Sequence, residues 1–286
     1  MKSNLLLIFF ALAGPVSAQK SVKAPSNFIF IPMGEAKLES QMVAVDAFFM
    51  QSHEVTVGQY SEFLSQLKEQ NKNLYKDCYP DTAKWVSLFT YSYNQPFVEH
   101  YHKHPSYYSY PMNNISREAA QEYCRWYTQH YNSSKEAMKR GKGVFRLPTQ
   151  AEWVRAARGD NHNWIFAWEG PYLKDKDCVK LANFLSVNDA NISRNAEGEV
   201  IVITPMQNTG AKQFITSPVK QFKSNLYKLF DMCGNVAEMV SDCESVRGGS
   251  WYDTGYELRV DAPGDHLPVP SPMVGFRMVF VPSTGE

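Results

Sequence analysis

The sequence predicts an α+β fold with low regular secondary structure and many loops. Three segments combine helical hydrophobic periodicity with capping residues, while short β-prone runs are scattered along the rest of the chain. Hydrophobic residues make up 44% and aromatic residues 14% of the 286 residues, which is enough for a sizeable core and argues against disorder. Because no internal repeat or linker interrupts it, residues 19–286 are expected to form one domain.

The predicted strands lie in the first and the last third of the chain. The apolar runs "NFIFIPMG" at 27–34 and "VAVDAFFM" at 43–50 are separated by polar residues. "EGEVIVIT" at 197–204 follows a turn, and "SVRGGSWY" at 245–252 and "VGFRMVFV" at 274–281 contain glycines that indicate bends. These five segments supply the β part of the fold.

Two helices are predicted in the first half of the chain. Residues 54–70 switch to helical period, with Thr56 as the N-cap and Gln59 three residues later, in the spacing of a capping box. Residues 116–131 begin with Ser116 as a cap. Each helix is expected to bury one apolar stripe.

The third helix has the strongest signals. In "RLPTQAEWVRAARGD" at 146–160, Thr149 and Glu152 predict a capping box, and Gly159 predicts the C-terminal end. Both ends of this helix can therefore be predicted from local residues.

An aromatic-rich segment spans residues 71–110 and has no steady period. Its aromatic residues are Tyr75, Tyr79, Trp85, Phe89, Tyr91, Tyr93, Phe97, Tyr101, Tyr107, Tyr108 and Tyr110. Two interpretations remain open: an irregular segment that packs by aromatic bulk, or a binding surface for a protein partner or glycan.

The first 18 residues have the pattern of a secretory signal peptide. Lys2 precedes a short apolar run at 5–13, and the small residues Val16 and Ala18 lead to a cleavage point. That run is too short to span a bilayer. We therefore expect an exported protein, periplasmic or extracellular, without a membrane span.

Charge and cysteine content exclude several classes. The 29 basic and 29 acidic residues balance, so nothing favours nucleic acid or an anionic membrane surface. The five cysteines permit disulfides in an oxidising compartment, but their odd number leaves at least one unpaired within the chain, and none is spaced as CxxC.

Six segments follow one another along the chain: "VDAFFMQSHEVTVGQYSEFL", "YPMNNISREAAQEYCRWY", "FRLPTQAEWVRAARG", "FDMCGNVAEMVSD", "VRGGSWYD" and "VGFRMVF". In this order they resemble the sulfatase-modifying-factor family of formylglycine-generating enzymes. The resemblance implies the formylglycine-generating-enzyme fold, a compact α+β domain with a core like that of C-type lectins. It also implies a catalytic precedent, in which two cysteines hold Cu(I) and molecular oxygen oxidises a cysteine of a client sulfatase.

The copper-binding cysteines of that family are absent here. They follow the glycine-serine-aromatic turn, and the positions that correspond to them after residues 249–251 carry Asp253 and Leu258. Cu(I) is a soft ion that prefers thiolate, so a carboxylate and a leucine do not replace the pair. A second family feature, a pair of arginines, is reduced to Arg259, with Pro263 near the other position. Copper is therefore not expected.

Calcium is the metal that the resemblance favours. The family's second calcium site corresponds to the side chains of Asp231 and Glu238 and the carbonyls of Gly234 and Val236. These are hard oxygen ligands of the kind that suit Ca²⁺. By spacing alone, the same residues indicate a glycine turn with solvated acids.

A weaker calcium candidate corresponds to the family's other site. It would use Asn183 and the carbonyl of Phe184, but Ala211 stands where the family has an aspartate. This departure puts the weaker site, with Asn183 and Phe184, in doubt.

Other side chains could hold a metal at relocated positions. Cys233 and Cys243 flank the "GNVAE" turn, and His100, His102 and His104 alternate in "EHYHKH", on one face if that stretch is extended. The alternatives are buried or disulfide-bonded cysteines and exposed loop histidines. For both groups these alternatives are favoured over a metal site.

Two functions follow from these observations. The first is a non-catalytic, calcium-stabilised binding or structural module of the cell envelope. It resembles family members in gliding motility and its associated secretion, to which the run "HPSYYSYPMNNIS" is similar, although no lipid-attachment cysteine follows the leader. The second is an oxygen-dependent oxidoreductase with relocated metal ligands. Loss of both copper ligands favours the first.

Overall fold

The computed structural model describes residues 23–88, 95–186, 192–202, 215–262 and 269–283. The expected leader at 1–18, Ala211 and Pro263 lie outside these ranges. The residues described combine short strands, short helices and long connections, and the predicted α+β class is confirmed.

Eleven strands occur in the described residues. They are β1 (Phe28–Ile31), β2 (Gly34–Leu38), β3 (Gln41–Val45), β4 (Phe48–Gln51), β5 (Gly143–Arg146), β6 (Ile192–Arg194), β7 (Val200–Val202), β8 (Ala237–Met239), β9 (Val246–Arg247), β10 (Val274–Gly275) and β11 (Val279–Pro282).

Seven α-helices and one short 3-10 helix at Pro105–Tyr107 occur in the same ranges. The α-helices are α1 (Val57–Gln70), α2 (Lys72–Cys78), α3 (Lys84–Leu88), α4 (Gln95–His100), α5 (Arg117–Asn132), α6 (Lys135–Arg140) and α7 (Gln150–Arg158).

The largest sheet separates two hydrophobic cores. Its order is β1-β4-β11-β5, and every pairing in it is antiparallel. Phe49 and Phe280 point into one core with α1 and α5, whereas Met50 and Val279 point into a second core with α7. The central strands β4 and β11 are therefore buried on both faces, because neighbouring side chains alternate across a strand.

A smaller sheet brings distant parts of the chain together at the site described below. Its order is β10-β8-β9, with β10 parallel to β8 and β9 antiparallel to it. The strand pair β8–β10 places Glu238 opposite Gly275, next to the sequence that leads into β11.

The predicted N-terminal strands are each shorter than expected. Residues 27–34 contain β1 and the first residue of β2, and residues 43–50 contain the end of β3 and most of β4. The polar stretch between them is part of the hairpin β2–β3, whose register pairs Gly34 with Val45. Apolar runs therefore located the strands but not their ends.

The three predicted helices are confirmed with their caps. Thr56 and Thr149 each close a capping box with the residue three positions later, and Ser116 accepts from the Ala119 N–H. Gly159 ends α7 with a positive φ of 59°. Local side-chain chemistry is sufficient to place these ends.

The aromatic segment is more regular than expected. It contains α2, α3, α4 and the 3-10 helix, while residues 89–94 lie outside the described ranges. Trp85 and Tyr101 are fully buried, and their ring centroids lie 5.3 Å apart. Aromatic packing is thus a main role of this segment, whereas Tyr108 remains exposed at its C-terminal end.

Within the part of the chain that is described, no helix combines the length and apolarity that crossing a bilayer requires. All five cysteines lie in described ranges, and none of them forms a disulfide.

Candidate functional site

The turn that would carry the copper ligands is held by glycines in close contact with neighbouring backbone. Gly248 has a φ of 89°, and a Cβ there would lie 2.7 Å from the Met232 carbonyl oxygen. Gly249 has a φ of 64°, and a Cβ there would lie 2.9 Å from the Glu257 carbonyl oxygen. Only glycine meets both requirements, which explains the two consecutive glycines of "GGSW".

Asp253 closes this turn. Its Oδ2 accepts hydrogen bonds from the Ser250 N–H at 2.7 Å and from the Ser250 hydroxyl at 2.6 Å. Its carbonyl accepts from the Leu185 N–H at 2.9 Å, which ties the turn to the segment after Phe184. The carboxylate therefore serves as a charge-assisted acceptor for the turn's own polar groups.

Leu258 has a packing role. Its side chain is fully buried in the core that also contains Trp153 and Val260. An apolar side chain in this place contributes burial and offers no metal ligand. Both positions that correspond to copper-binding cysteines are thus integrated into the fold.

A buried ion pair lies behind the turn. Arg277 donates from Nε to both carboxylate oxygens of Glu238, at 2.8 and 2.7 Å, and the Trp153 indole donates to Glu238 Oε2 at 2.8 Å. Arg277 and Glu238 are less than 2% exposed. Both oxygens of Glu238 are therefore already paired, as a buried charge requires.

Two more carboxylates belong to this cluster. Glu54 accepts from the Asn235 side-chain amide at 2.9 Å through Oε1, while its buried Oε2 has no partner among the described residues. Asp231 accepts from the Lys220 N–H at 2.8 Å. Burial raises the pKa of Asp231 to about 6, and burial together with the charge of Asp231 raises the pKa of Glu54 well above its usual range.

The main predicted calcium set runs from Asp231 in a strained turn to Glu238 in β8, and both carboxylates belong to this cluster. Asp231 and Asn235 have positive φ values of 56° and 63°, which non-glycine residues rarely adopt. Asp231 and the unpaired oxygen of Glu54 are hard ligands next to a single guanidinium, so the donor chemistry fits a small divalent cation. Glu238 is the exception, because Arg277 already neutralises it.

In the weaker predicted calcium set, the polar groups of the candidate ligands already form hydrogen bonds within the protein. The Asn183 amide donates to the Ile215 carbonyl at 2.9 Å, and the Asn183 carbonyl accepts from the Asn235 N–H. The Lys180 ammonium lies 3.5 Å from the Phe184 carbonyl oxygen and 5.0 Å from the centroid of the Phe184 ring. A cation of the protein itself therefore already faces that carbonyl.

The three histidines are not on one extended face. His100 ends α4 and His104 caps the 3-10 helix, and both are exposed. His102 is buried and bonds through Nε2 to the Asn113 side-chain oxygen at 2.9 Å. Burial lowers the pKa of His102 to about 4. His100 and His104 are thus exposed as expected, although His100 lies in α4, and the expectation is wrong for His102, which is buried against Asn113.

Cys233 and Cys243, the candidate relocated ligands, lie in different surroundings. Cys233 is buried and accepts from the Ala167 N–H at 3.4 Å, and burial raises the pKa of its thiol to about 12. Cys243 is half-buried and lies 3.9 Å from the Ser245 carbonyl oxygen. Since a thiolate is the copper ligand, burial disfavours this role for Cys233.

In the ranges that the structure describes, no three or more His, Cys, Asp or Glu side chains are arranged to hold a metal ion. The calcium set, which relies partly on backbone carbonyls, is not of that type and stays a prediction.

Nearly the whole chain matches one known family. The family described as "Sulfatase-modifying factor enzyme 1-like domain" matches residues 14–281. The chain belongs to the sulfatase-modifying factor family.

Curated relatives of this family member include mammalian enzymes. It is 26% identical over 234 residues to the formylglycine-generating enzyme of Bos taurus, covering 73% of this chain and 52% of that protein. It is 27% identical over 154 residues to the inactive Cα-formylglycine-generating enzyme 2 of Bos taurus, covering 51% of this chain and 40% of that protein. This family member thus spans about half the length of the curated relatives it matches.

Solved structures confirm the formylglycine-generating-enzyme fold. PvdO from Pseudomonas aeruginosa aligns with a TM-score of 0.54 at 16% identity, covering 92% of this chain and 99% of that chain. The Treponema denticola variable protein 1 aligns with a TM-score of 0.51 at 18% identity, covering 89% and 95%. At these identities the likeness concerns the fold alone.

Sequence reasoning missed four residues of the buried cluster. Glu54, Trp153 and Arg277 lie inside the quoted family segments, and Asn235 lies in the "GNVAE" turn. The available signal was a charged residue within an otherwise apolar run, as in "VGFRMVF", since a buried charge needs a partner.

Proposed function

We propose that this family member is an exported protein that lacks the copper-dependent cysteine oxidase activity. It acts as a calcium-stabilised binding or structural module of the cell envelope and recognises a protein partner or a glycan. The observation that carries the proposal is the state of the two copper positions, where Asp253 closes the turn and Leu258 fills the core. The curated relatives include one whose name calls it inactive, so loss of the activity has a parallel in the family.

The oxidase part is tested with a peptide assay. The purified chain, loaded with Cu(I) and calcium, is incubated with a cysteine peptide of the sulfatase type while oxygen uptake and peptide mass are followed. We expect neither oxygen uptake nor an aldehyde product. Aldehyde formation that disappears in Cys233→Ala or Cys243→Ala would replace the proposal with the second function, an oxidoreductase with relocated ligands.

The calcium part is supported by an excess of buried carboxyl groups over positively charged groups. Glu54, Asp231 and Glu238 share a single Arg277, and one oxygen of Glu54 has no partner among the described residues. Asp231 and the carbonyls of Gly234 and Val236 would hold the ion. Bound calcium would supply a positive charge that keeps the buried acids ionised and the turn rigid.

Calcium binding is tested by thermal unfolding. Calcium at about 100 times its dissociation constant should stabilise the native state by about 3 kcal/mol and raise the melting temperature. Magnesium at the same concentration should have a smaller effect. Asp231→Ala should abolish the response, whereas Glu244→Gln, an exposed change, should keep it. An equal response in Asp231→Ala would rule out this site.

A further inference from the structure

A cavity of about 680 Å³ lies beside the turn that carries Asp253. Its walls come from residues 172–176, residues 184–186 and residues 254–255. The Leu185 N–H to Asp253 carbonyl bond joins two of these walls. A cavity of this size is in the range that holds a small ligand or a short peptide segment.

The cavity has a mainly apolar lining. Tyr172, Leu173, Phe184 and Leu185 contribute aromatic and aliphatic surface. Tyr172 is 73% exposed, so its ring stands free at the cavity in the absence of a partner. Exposed aromatic side chains next to an apolar recess are frequent anchors for a partner's side chain.

Two lysines stand among these apolar residues. Lys174 and Lys176 line the cavity, and Lys180 lies over the ring of Phe184, with its ammonium 5.0 Å from the ring centroid. Among the residues that the structure describes, none of these three lysines forms an ion pair. The ammonium groups of Lys174 and Lys176 are therefore available to an external anion, whereas that of Lys180 already faces the Phe184 carbonyl oxygen.

The neighbouring acid does not neutralise them by direct pairing. Asp175 Oδ1 accepts hydrogen bonds from the Asp177 and Val179 N–H groups, at 2.9 Å each. This carboxylate is used to shape its own loop. The cavity lining therefore combines apolar side chains with two lysines and one aspartate, so its side chains carry one net positive charge (two minus one).

We infer that this cavity binds an acidic peptide segment of a protein partner, one in which an aromatic or aliphatic side chain stands next to a carboxylate. The apolar side chain packs against Tyr172 and Leu185, and the carboxylate faces Lys174 and Lys176. This inference rests on the proposed binding function and selects a protein over a glycan. A neutral glycan would leave the lysines without a counter-charge.

The test uses the full chain and three end-blocked peptides of the same length. The first has the sequence Asp-Phe-Glu-Leu, the second replaces both acids by their amides, and the third replaces phenylalanine and leucine by alanine. Binding is measured by calorimetry at low and at physiological salt. We expect the first peptide to bind at least about tenfold more tightly than the other two, with weaker binding at higher salt.

Variants assign the binding to the cavity. Lys174→Glu with Lys176→Glu, and separately Tyr172→Ala, should each weaken binding of the acidic peptide about tenfold. Lys103→Glu and Tyr108→Ala change exposed residues elsewhere and should have no effect. Equal binding of the acidic and amide peptides, unchanged affinity in the cavity variants, or displacement by a neutral oligosaccharide would overturn the inference.

The result of the peptide-binding test can be distinguished from the result of the oxidase assay. If the peptides fail to bind while the oxidase assay stays negative, the cavity inference is wrong and the non-catalytic assignment stands. If the chain converts a cysteine peptide, the proposed function fails whatever the acidic peptides do.

Discussion

Asp253 and Leu258 occupy the positions that correspond to copper ligands, and each has a different role here. Asp253 accepts two hydrogen bonds from Ser250, one from the N–H and one from the hydroxyl. Leu258 is removed from solvent in the core. At the scale of single residues, these two side chains contribute turn and core interactions.

Removal of the Asp253 carboxylate should therefore destabilise the turn. Asp253→Ala leaves two polar groups of Ser250 without their acceptor, and we expect a loss of about 1–3 kcal/mol in the free energy of unfolding. Urea denaturation measures this change. Asp261→Ala removes an exposed carboxylate from a surface ion pair with Arg259 and should change the free energy by less than about 1 kcal/mol. Equal effects of the two variants would contradict the role assigned to Asp253.

The buried pair of Arg277 and Glu238 predicts a larger effect. Arg277→Met leaves the Glu238 carboxylate buried without its counter-charge, and we expect a loss of about 3–5 kcal/mol. The double variant Arg277→Met with Glu238→Gln should recover part of this loss, because no unpaired charge remains. The free energies of unfolding of the single and double variants decide between the outcomes. If the double variant is no more stable than Arg277→Met, the loss is due to packing and not to charge.

At the scale of elements, local chemistry set the ends of α1, α5 and α7. Each begins with a threonine or serine that accepts a backbone N–H, and α7 ends at Gly159. The short helices of the aromatic segment were not predicted from periodicity. Several of them are only five to seven residues long, so one apolar face is not visible in the sequence.

The cap of α7 is a testable element. Thr149→Ala removes the acceptor for the Glu152 N–H and should reduce the free energy of unfolding by about 1 kcal/mol. Thr149→Ser retains the hydroxyl and should lose less than half of that amount. Chemical denaturation of both variants provides the comparison, and equal losses would show that the methyl group matters more than the cap.

At the scale of the whole molecule, the burial of His102 predicts a pH dependence. The pKa of His102 is about 4 in the native state because of burial, whereas an unfolded histidine titrates near 6.5. As pH falls from 6.5 to 4, the unfolded state takes up a proton first, so the contribution of His102 to stability is lost in this window. The loss amounts to at most about 3 kcal/mol.

The comparison of two glutamine variants isolates this contribution. The free energy of unfolding of the wild type minus that of His102→Gln should increase as the pH rises from 4 to 6.5. Above pH 6.5 this difference should stay constant. His104→Gln changes an exposed histidine of the same loop and should show a much smaller pH dependence. A constant difference for His102→Gln across this window would contradict the burial of a neutral imidazole.

The sequence by itself determined the family, the fold class, the helix caps and the absence of sulfur at the copper positions. These properties depend on residue identity and on short spacings, which the chain carries locally. Only the tertiary structure decided what Asp253 and Leu258 do, that Arg277 neutralises Glu238, and that a mainly apolar cavity with two lysines in its lining opens beside the turn. The reason is the separation of the partners along the chain: 39 positions separate Glu238 from Arg277, and 181 separate Glu54 from Asn235. Contacts over such distances follow from packing around two cores, and no local pattern encodes them.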